Sequence, residues 1–236
     1  MKKKIVIKYG GVALNESDFA EISQAQKDGF QPIIIHGGGK EVTELSLQLG
    51  IRSVFKNGLR VTDAATMDIV QMVLLGRVNT RLVAGLQSRG FKAIGISGFA
   101  QGKTLNEELG HVGQVESCDA DVLNLLCERG YIPIVAPIAI GNDATIYNVN
   151  GDSFAAAVAI AMKADSLFLM TDVDGVYLDK NNASSKFTHL CADVAKNLRV
   201  HDGMIPKLKA AVLATEKGVS SVFIGKSLNA NTVVTA

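Results

Sequence analysis

Two glycine clusters each follow a short β-branched run: Lys8-Tyr9-Gly10-Gly11 after Ile5-Val6-Ile7, and His36-Gly37-Gly38-Gly39 after Ile33-Ile34-Ile35. The chemistry open to them is anion holding. Glycine has no Cβ, so its backbone N–H groups can approach a bulky anion closely. Where such a turn opens a helix, the free N–H groups and the helix dipole favour phosphate. A single strand–glycine–helix turn is more often only a turn. A pair of them, with Lys8 as a mobile point charge at the mouth of the first, points to polyphosphate held at the ends of two neighbouring strands.

Three further segments carry polar residues beyond structural need. In Lys56-Asn57-Gly58-Leu59-Arg60-Val61-Thr62-Asp63 an arginine precedes a helix start, with Thr62 as the expected cap. Its guanidinium can clamp a carboxylate through two parallel hydrogen bonds. In Tyr147-Asn148-Val149-Asn150-Gly151-Asp152 two amides and a carboxylate crowd the entry to an apolar helix that needs one cap. In Asp202-Gly203-Met204-Ile205-Pro206-Lys207 a lysine sits in the first turn of a helix, where the dipole disfavours a cation. A bound phosphate would reverse that penalty.

Other motifs fail on spacing. Gly98–Thr104 has three residues between its glycines where a P-loop has four, and Gly225-Lys226-Ser227 lacks the upstream glycine, having Ser220 there. His-Gly-Gly-Gly also occurs in α/β-hydrolases, but Gly95-Ile96-Ser97-Gly98-Phe99 is not their nucleophile elbow. Asp172-Val173-Asp174-Gly175 lacks the later ligands of a calcium loop and reads as a turn after a buried strand. Cys118, Cys127 and Cys191 are odd in number and widely spaced, which argues against a disulfide framework or a zinc site and fits a reducing cytosol.

The elements that must position these residues alternate along the chain. Strands are expected at Ile5–Ile7, Ile33–Ile35, Ala93–Ile96, Ile132–Ile140, Leu167–Met170, Val222–Ile224 and Val233–Val234. Helices are expected at Glu16–Asp28, Lys40–Leu49, from Thr62 towards Arg89, after Asp119, after Asp152 and from Pro206 to Gly218. In the helix after Asp119, Val122, Leu125 and Leu126 share the expected apolar face. Such alternation predicts an α/β fold, a three-layer αβα sandwich with a mainly parallel open central sheet and ligands beyond the carboxyl ends of its strands.

A chain of 236 residues with 47% hydrophobic content can bury a full core. A net charge of +1 provides no bulk field for nucleic acid or an anionic membrane. No run approaches the ~18 apolar residues of a membrane span. The expectation is a cytoplasmic protein.

Lys-x-Gly-Gly, His-Gly-Gly-Gly, Asn-Gly-Leu-Arg-Val-Thr, Leu-Gly-His-Val-Gly (Leu109–Gly113), Asn-Val-Asn-x-Asp and Gly-Met-Ile-Pro-Lys follow one another here from Lys4 to about Gly225. In that order they resemble the N-acetylglutamate kinases of the amino acid kinase superfamily. The resemblance implies ATP-dependent phosphorylation of the γ-carboxylate of N-acetyl-L-glutamate in arginine biosynthesis, with Mg²⁺ accompanying ATP. It implies a single kinase domain, with an acceptor lobe over residues 1–150 and a nucleotide lobe over 151–236. By matched position, Lys8 and Lys207 stabilise the phosphoryl group and Asp152 orients both lysines. Gly38, Gly39, Arg60 and Asn148 hold the acetylamino acid, and Gly10 and Gly11 touch phosphates. Asp172, Val173, Asp174, Gly175, Val176 and Tyr177, with Arg199, Val200 and His201, line the nucleotide pocket. No metal ligand set is implied, and His36 orients its loop.

The chain departs from the family's pattern in a shorter stretch between Gly11 and Pro32, in Gly151 where alanine is usual, and in a brief link from Ile224 to Asn231-Thr232 where relatives have a helix. The N-terminal helix of arginine-inhibited hexameric relatives has no counterpart. A homodimer insensitive to arginine is therefore expected, with contacts through Ile69, Val73 and Leu74. The alternatives are a kinase for carrier-protein-linked aminoadipate or glutamate, and a ligand-binding relative without turnover.

Overall fold

The computed structural model describes residues 3–10, 13–179, 181–200, 203–229 and 231–236. Its first half alternates strand and helix: β1 (Lys3–Tyr9), α1 (Glu16–Lys27), β2 (Phe30–His36) and α2 (Gly39–Gln48). A small hairpin follows, β3 (Phe55–Lys56) and β4 (Leu59–Arg60), and then a continuous helical stretch of α3 (Ala64–Gln71), a π-helical segment (Met72–Val78) and α4 (Asn79–Gln87). The middle holds β5 (Ala93–Ile96), β6 (Ala100–Thr104), β7 (Val112–Cys118), α5 (Asp121–Glu128), β8 (Ile132–Val135), β9 (Ile138–Ile140) and β10 (Ile146–Val149). The remainder comprises α6 (Gly151–Ala161), β11 (Ser166–Met170), β12 (Val176–Tyr177), β13 (Lys186–Phe187), β14 (His189–Cys191), α7 (Ala192–Asn197), α8 (Ile205–Glu216), β15 (Ser221–Gly225) and β16 (Asn231–Thr235).

Eight strands form the central sheet in the order β14-β16-β15-β11-β1-β2-β8-β5. Its neighbours are parallel except β15 and β16. Alternate residues of one strand face opposite helical layers, as the period-2 pleat requires. Val6, Ile33 and Ile35 join the core under α5, α6 and α8, whereas Ile34 packs under α2, α3 and α4. This is the expected αβα sandwich. The carboxyl ends of β1 and β2 lie side by side, with Lys8 opposite Ile35 and Tyr9 opposite His36.

A second sheet was not expected. β10, β7, β6 and β9 close into a small barrel. The apolar run Ile132–Ile140, expected as one strand, is divided between the two sheets: β8 joins the large sheet, β9 the barrel, and Pro137 falls in the break. Proline cannot donate to a ladder, so it suits that boundary.

Local corrections follow from burial and capping. Asp63, not Thr62, caps α3, its Oδ1 accepting the Thr66 N–H at 2.8 Å. α5 buries Leu123 and Cys127 and leaves Leu125 54% exposed, so its core stripe is one residue off the expected face. Ile69, Val73 and Leu74 are at most 4% exposed, buried in the chain's own core; they are not available as dimer contacts. The helical stretch 64–87 is long and apolar enough to cross a membrane by length and composition. Its buried Met67, Ile69, Val70 and Val73 give it the packing of a core helix.

Candidate active site

The His36–Gly39 turn is held by its neighbours. The Gly37 N–H donates to the Tyr9 carbonyl at 2.9 Å, tying it to β1. Gly38 has φ 148°, and a Cβ there would lie 2.5 Å from Leu74 Cδ2, so glycine is required on both conformational and steric grounds. Gly38 is also the N-cap residue of α2, without a side-chain cap. The first N–H groups of that helix have no intrahelical partner. Gly38 and Gly39 lie in the wall of a cleft of about 240 Å³ that also includes Lys8, Arg60, Asn148 and Asp152.

Arg60 reaches this cleft from a two-residue hairpin. Asn57 and Gly58 both have positive φ, 51° and 76°, as the tight Asn-Gly turn demands. The guanidinium donates to Ser53 Oγ at 2.6 Å and to both Gly39 O and Thr43 Oγ1 at 2.8 Å, and it lies 4.7 Å from the Phe55 ring centre. All three hydrogen-bond acceptors are neutral. Burial pulls its pKa down, yet an arginine keeps its charge at neutral pH. A positioned cation whose partners are all neutral is suited to an anionic ligand.

On the barrel side, Asn148 of β10 donates to Thr62 Oγ1 at 3.2 Å. Asn150 is the actual cap of α6, accepting the N–H groups of Asp152 and Ser153 at 3.0 and 3.1 Å. Asn148 and Asp152 are thereby released from capping. Asp152 is 5% exposed and holds two lysines: Lys207 Nζ lies 3.0 and 3.1 Å from its two oxygens, and Lys8 Nζ 3.4 Å from Oδ1. Lys207, in the first turn of α8, is itself 8% exposed. Burial pushes its pKa below the ordinary lysine value, and the Lys8 charge adds to that, while Asp152 works against both. Three residues far apart in sequence thus form a two-cation, one-anion cluster with a surplus positive charge at the cleft.

A second hollow of about 260 Å³ is lined by Val173, Asp174, Gly175, Tyr177, Met204 and Lys226, among others. Asp174 bonds Lys186 at 2.9 Å and receives the Tyr177 hydroxyl, and the Tyr177 and Lys186 hydrogen bonds bring its carboxyl down to about 2. Asp172 is near enough to Lys207 to favour its charged form. Val176 is buried and its N–H donates to Thr232 Oγ1 at 2.8 Å, while that hydroxyl donates to the Phe187 carbonyl. The short link before β16 therefore still delivers a strand that fastens this turn.

Some expected residues fall elsewhere. Arg199 is exposed, and Val200 lies with Leu198, Leu208 and Val212 in the groove between α7 and α8 rather than beside Asp174. Packing of Leu198 and Val200 onto the core draws that segment along α8. Gly11 and His201 lie outside the described residues, and Gly10 is exposed at the end of β1. Ser53 and Thr43, which hold Arg60, carried no signal of their own in the sequence, and Thr62, expected as a cap, instead accepts from Asn148. Lys226, set aside with a failed P-loop pattern, lines the second hollow.

The model of the amino acid kinase family matches residues 3–226. The acetylglutamate kinase of Symbiobacterium thermophilum is 43% identical over 244 residues, covering 94% of this chain and 83% of its own length. That of Kosmotoga olearia is 41% identical over 233 residues, with the same coverage. Among solved structures, smu.665 from Streptococcus mutans UA159 superposes over the whole of both chains with a TM-score of 0.91 at 31% identity. Carbamate kinase from Giardia lamblia shares the fold, with a TM-score of 0.77 at 14% identity. The chain belongs to the amino acid kinase family and, within it, to the acetylglutamate kinases.

Proposed function

We propose that this chain transfers the γ-phosphoryl group of ATP to the γ-carboxylate of N-acetyl-L-glutamate, giving N-acetylglutamyl 5-phosphate and ADP, as a cytoplasmic homodimer in arginine biosynthesis. The names of its relatives support the acceptor. The observation that carries the reading is the Lys8–Asp152–Lys207 cluster at the edge of a cleft that also holds Arg60 and the glycine turn.

In this reading a carboxylate oxygen of the acceptor attacks phosphorus as the bond to the ADP oxygen breaks. A carboxylate is already ionised, so no general base is required. What remains is alignment and stabilisation of charge spreading over the transferred oxygens. Arg60 and Asn148 hold the acceptor, with the N–H groups of Gly38 and Gly39. Lys8 and Lys207 meet the moving charge from two directions, and Asp152 fixes their spacing while cancelling part of their mutual repulsion. Gly10 approaches the phosphates, and the Asp172–Tyr177 turn lines the nucleotide side. The division at 150/151 then sets an acceptor lobe against a nucleotide lobe, with Asp152 at the seam. Asp152 is already shared by two lysines, so the chain has little to offer a cation at the phosphoryl position. Mg²⁺ would be held mainly by ATP's own phosphate oxygens, neutralising their charge.

Arg60→Lys tests the acceptor side. A lysine cannot reproduce a planar fork held at once by Ser53, Thr43 and Gly39. Calorimetry is expected to show N-acetylglutamate affinity reduced about tenfold or more, in line with a charged hydrogen bond worth ~1.5–3 kcal/mol, and ATP affinity within about twofold of the parent. Unchanged acetylglutamate affinity would remove Arg60 from the acceptor site.

A further inference from the structure

His36 is fully buried, yet it lies next to the three glycines that open α2. Its Nδ1 is 2.7 Å from the Gly37 carbonyl oxygen, which can only accept, so Nδ1 carries the proton. Its Nε2 is 3.2 Å from Asn79 Nδ2. That same amide nitrogen lies 2.9 Å from the Ile134 carbonyl, another obligate acceptor. The Ile134 contact fixes which way the Asn79 amide faces: its NH₂ must point at β8, and its second hydrogen then meets Nε2. Nε2 has to be the bare nitrogen. Burial lowers the pKa of His36, in keeping with a neutral ring.

Asn79 itself is 7% exposed and begins α4, directly after the π-helical segment. It fits over the sheet because β5 has a glycine beneath it: a Cβ on Gly95 would lie 2.0 Å from Asn79 Oδ1. A glycine inside a strand is costly unless something approaches it closely, and here a buried amide does.

We propose that Asn79 is a positioning residue for the phosphoryl-transfer site, acting through His36: a chain of hydrogen bonds from the Ile134 carbonyl through the Asn79 amide and the His36 ring to the Gly37 carbonyl sets the ring's tautomer and the aim of the Gly37–Gly39 turn. Neither residue touches substrate. The catalytic consequence rests on the kinase reading above, whereas the tautomer does not. With the Gly37 carbonyl held by Nδ1–H and its N–H held by Tyr9, both ends of that residue are fixed, next to Gly38 and Gly39 in the cleft wall.

The test begins with the unaltered protein. With ¹⁵N-labelled histidine, and His36 assigned by comparison with His36→Asn, the ring is expected to be neutral and protonated at Nδ1 near neutral pH. A ring protonated at Nε2, or averaging between tautomers, would overturn the proposal. Kinetics then separate positioning from packing. Asparagine at position 36 places an amide N–H near the Nδ1 site and so retains the bond to Gly37, while losing contact with Asn79. Asn79→Ser is expected to lower kcat about tenfold through misplacement of the acceptor, with KM for ATP within about twofold. In the His36→Asn background the same substitution should cost no further kcat. Additive losses in the double variant would show that Asn79 acts by packing alone and contradict the proposal. Should Asn79→Ser fail to fold, the wild-type spectrum still decides. An Nδ1-protonated ring in a protein inert towards N-acetylglutamate would remove the kinase reading and leave the hydrogen-bond chain standing.

Discussion

Replacing Lys207 with alanine is expected to lower kcat by about 10²–10³-fold, the range for losing one preorganised donor to developing charge, while KM for ATP and for N-acetylglutamate shifts by no more than a few-fold. A lysine in the first turn of a helix opposes the dipole, and burial already pushes Lys207 away from its charged form. Those penalties make little sense for structure, since Leu208, Ala211 and Val212 of α8 supply the packing. They are reasonable if the ammonium meets negative charge that grows only during transfer. Steady-state kinetics decide it: a variant with near-normal kcat and a raised KM would make Lys207 a ground-state binding group instead. Adding Lys8→Ala should cost less than the product of the two single losses, because both lysines act on one phosphoryl group.

Asp152→Asn is expected to hurt both stability and turnover. It leaves two ammonium groups about an amide, one of whose hydrogens must then face a cation. Breaking a buried ion pair from one side costs about 3–5 kcal/mol, which denaturant unfolding would register directly. The loss should depend on pH. Asp152 is the main influence raising the Lys207 pKa, so its removal lowers that pKa further below the ordinary 10.5. Between the lowered folded value and 10.5 the unfolded chain binds more protons than the folded one, and stability must rise with pH across that window. An Asp152→Asn protein as stable as the parent at neutral pH, with no such rise, would mean that the carboxylate does not hold the lysines together.

The residues that sequence made legible are those whose oddity is local. Glycine pairs after β-branched runs, a cation at a helix start and surplus amides at a cap can each be noticed within a few positions. The second glycine cluster and the amides line one cleft, and Lys207 adjoins it through its bond to Asp152. What joins them is not local: Lys8, Asp152 and Lys207 meet because α6 packs on both β1 and α8. The barrel was hidden for a different reason. β6 and β7 have glycines at 102 and 113 that fit close approaches to Ala139 and Tyr147, so neither shows a clean alternation of apolar and polar residues. Arg60 was visible, but the hydroxyls of Ser53 and Thr43 that hold it look like any surface serine or threonine. Asn79 did leave one trace, the glycine at 95 inside a strand, which only the folded arrangement explains.

The central claim is that the cleft delivers a γ-carboxylate to ATP, and trapping the product tests it most directly. The purified protein is incubated with ATP, Mg²⁺ and N-acetyl-L-glutamate in the presence of hydroxylamine, which converts an acyl phosphate to a hydroxamate, and ADP is measured alongside. Hydroxamate and ADP are expected in equal amounts, and little of either with L-glutamate, whose free ammonium would enter a cleft already carrying Lys8 and Arg60. ADP without hydroxamate, or equal turnover of the two acids, would contradict it.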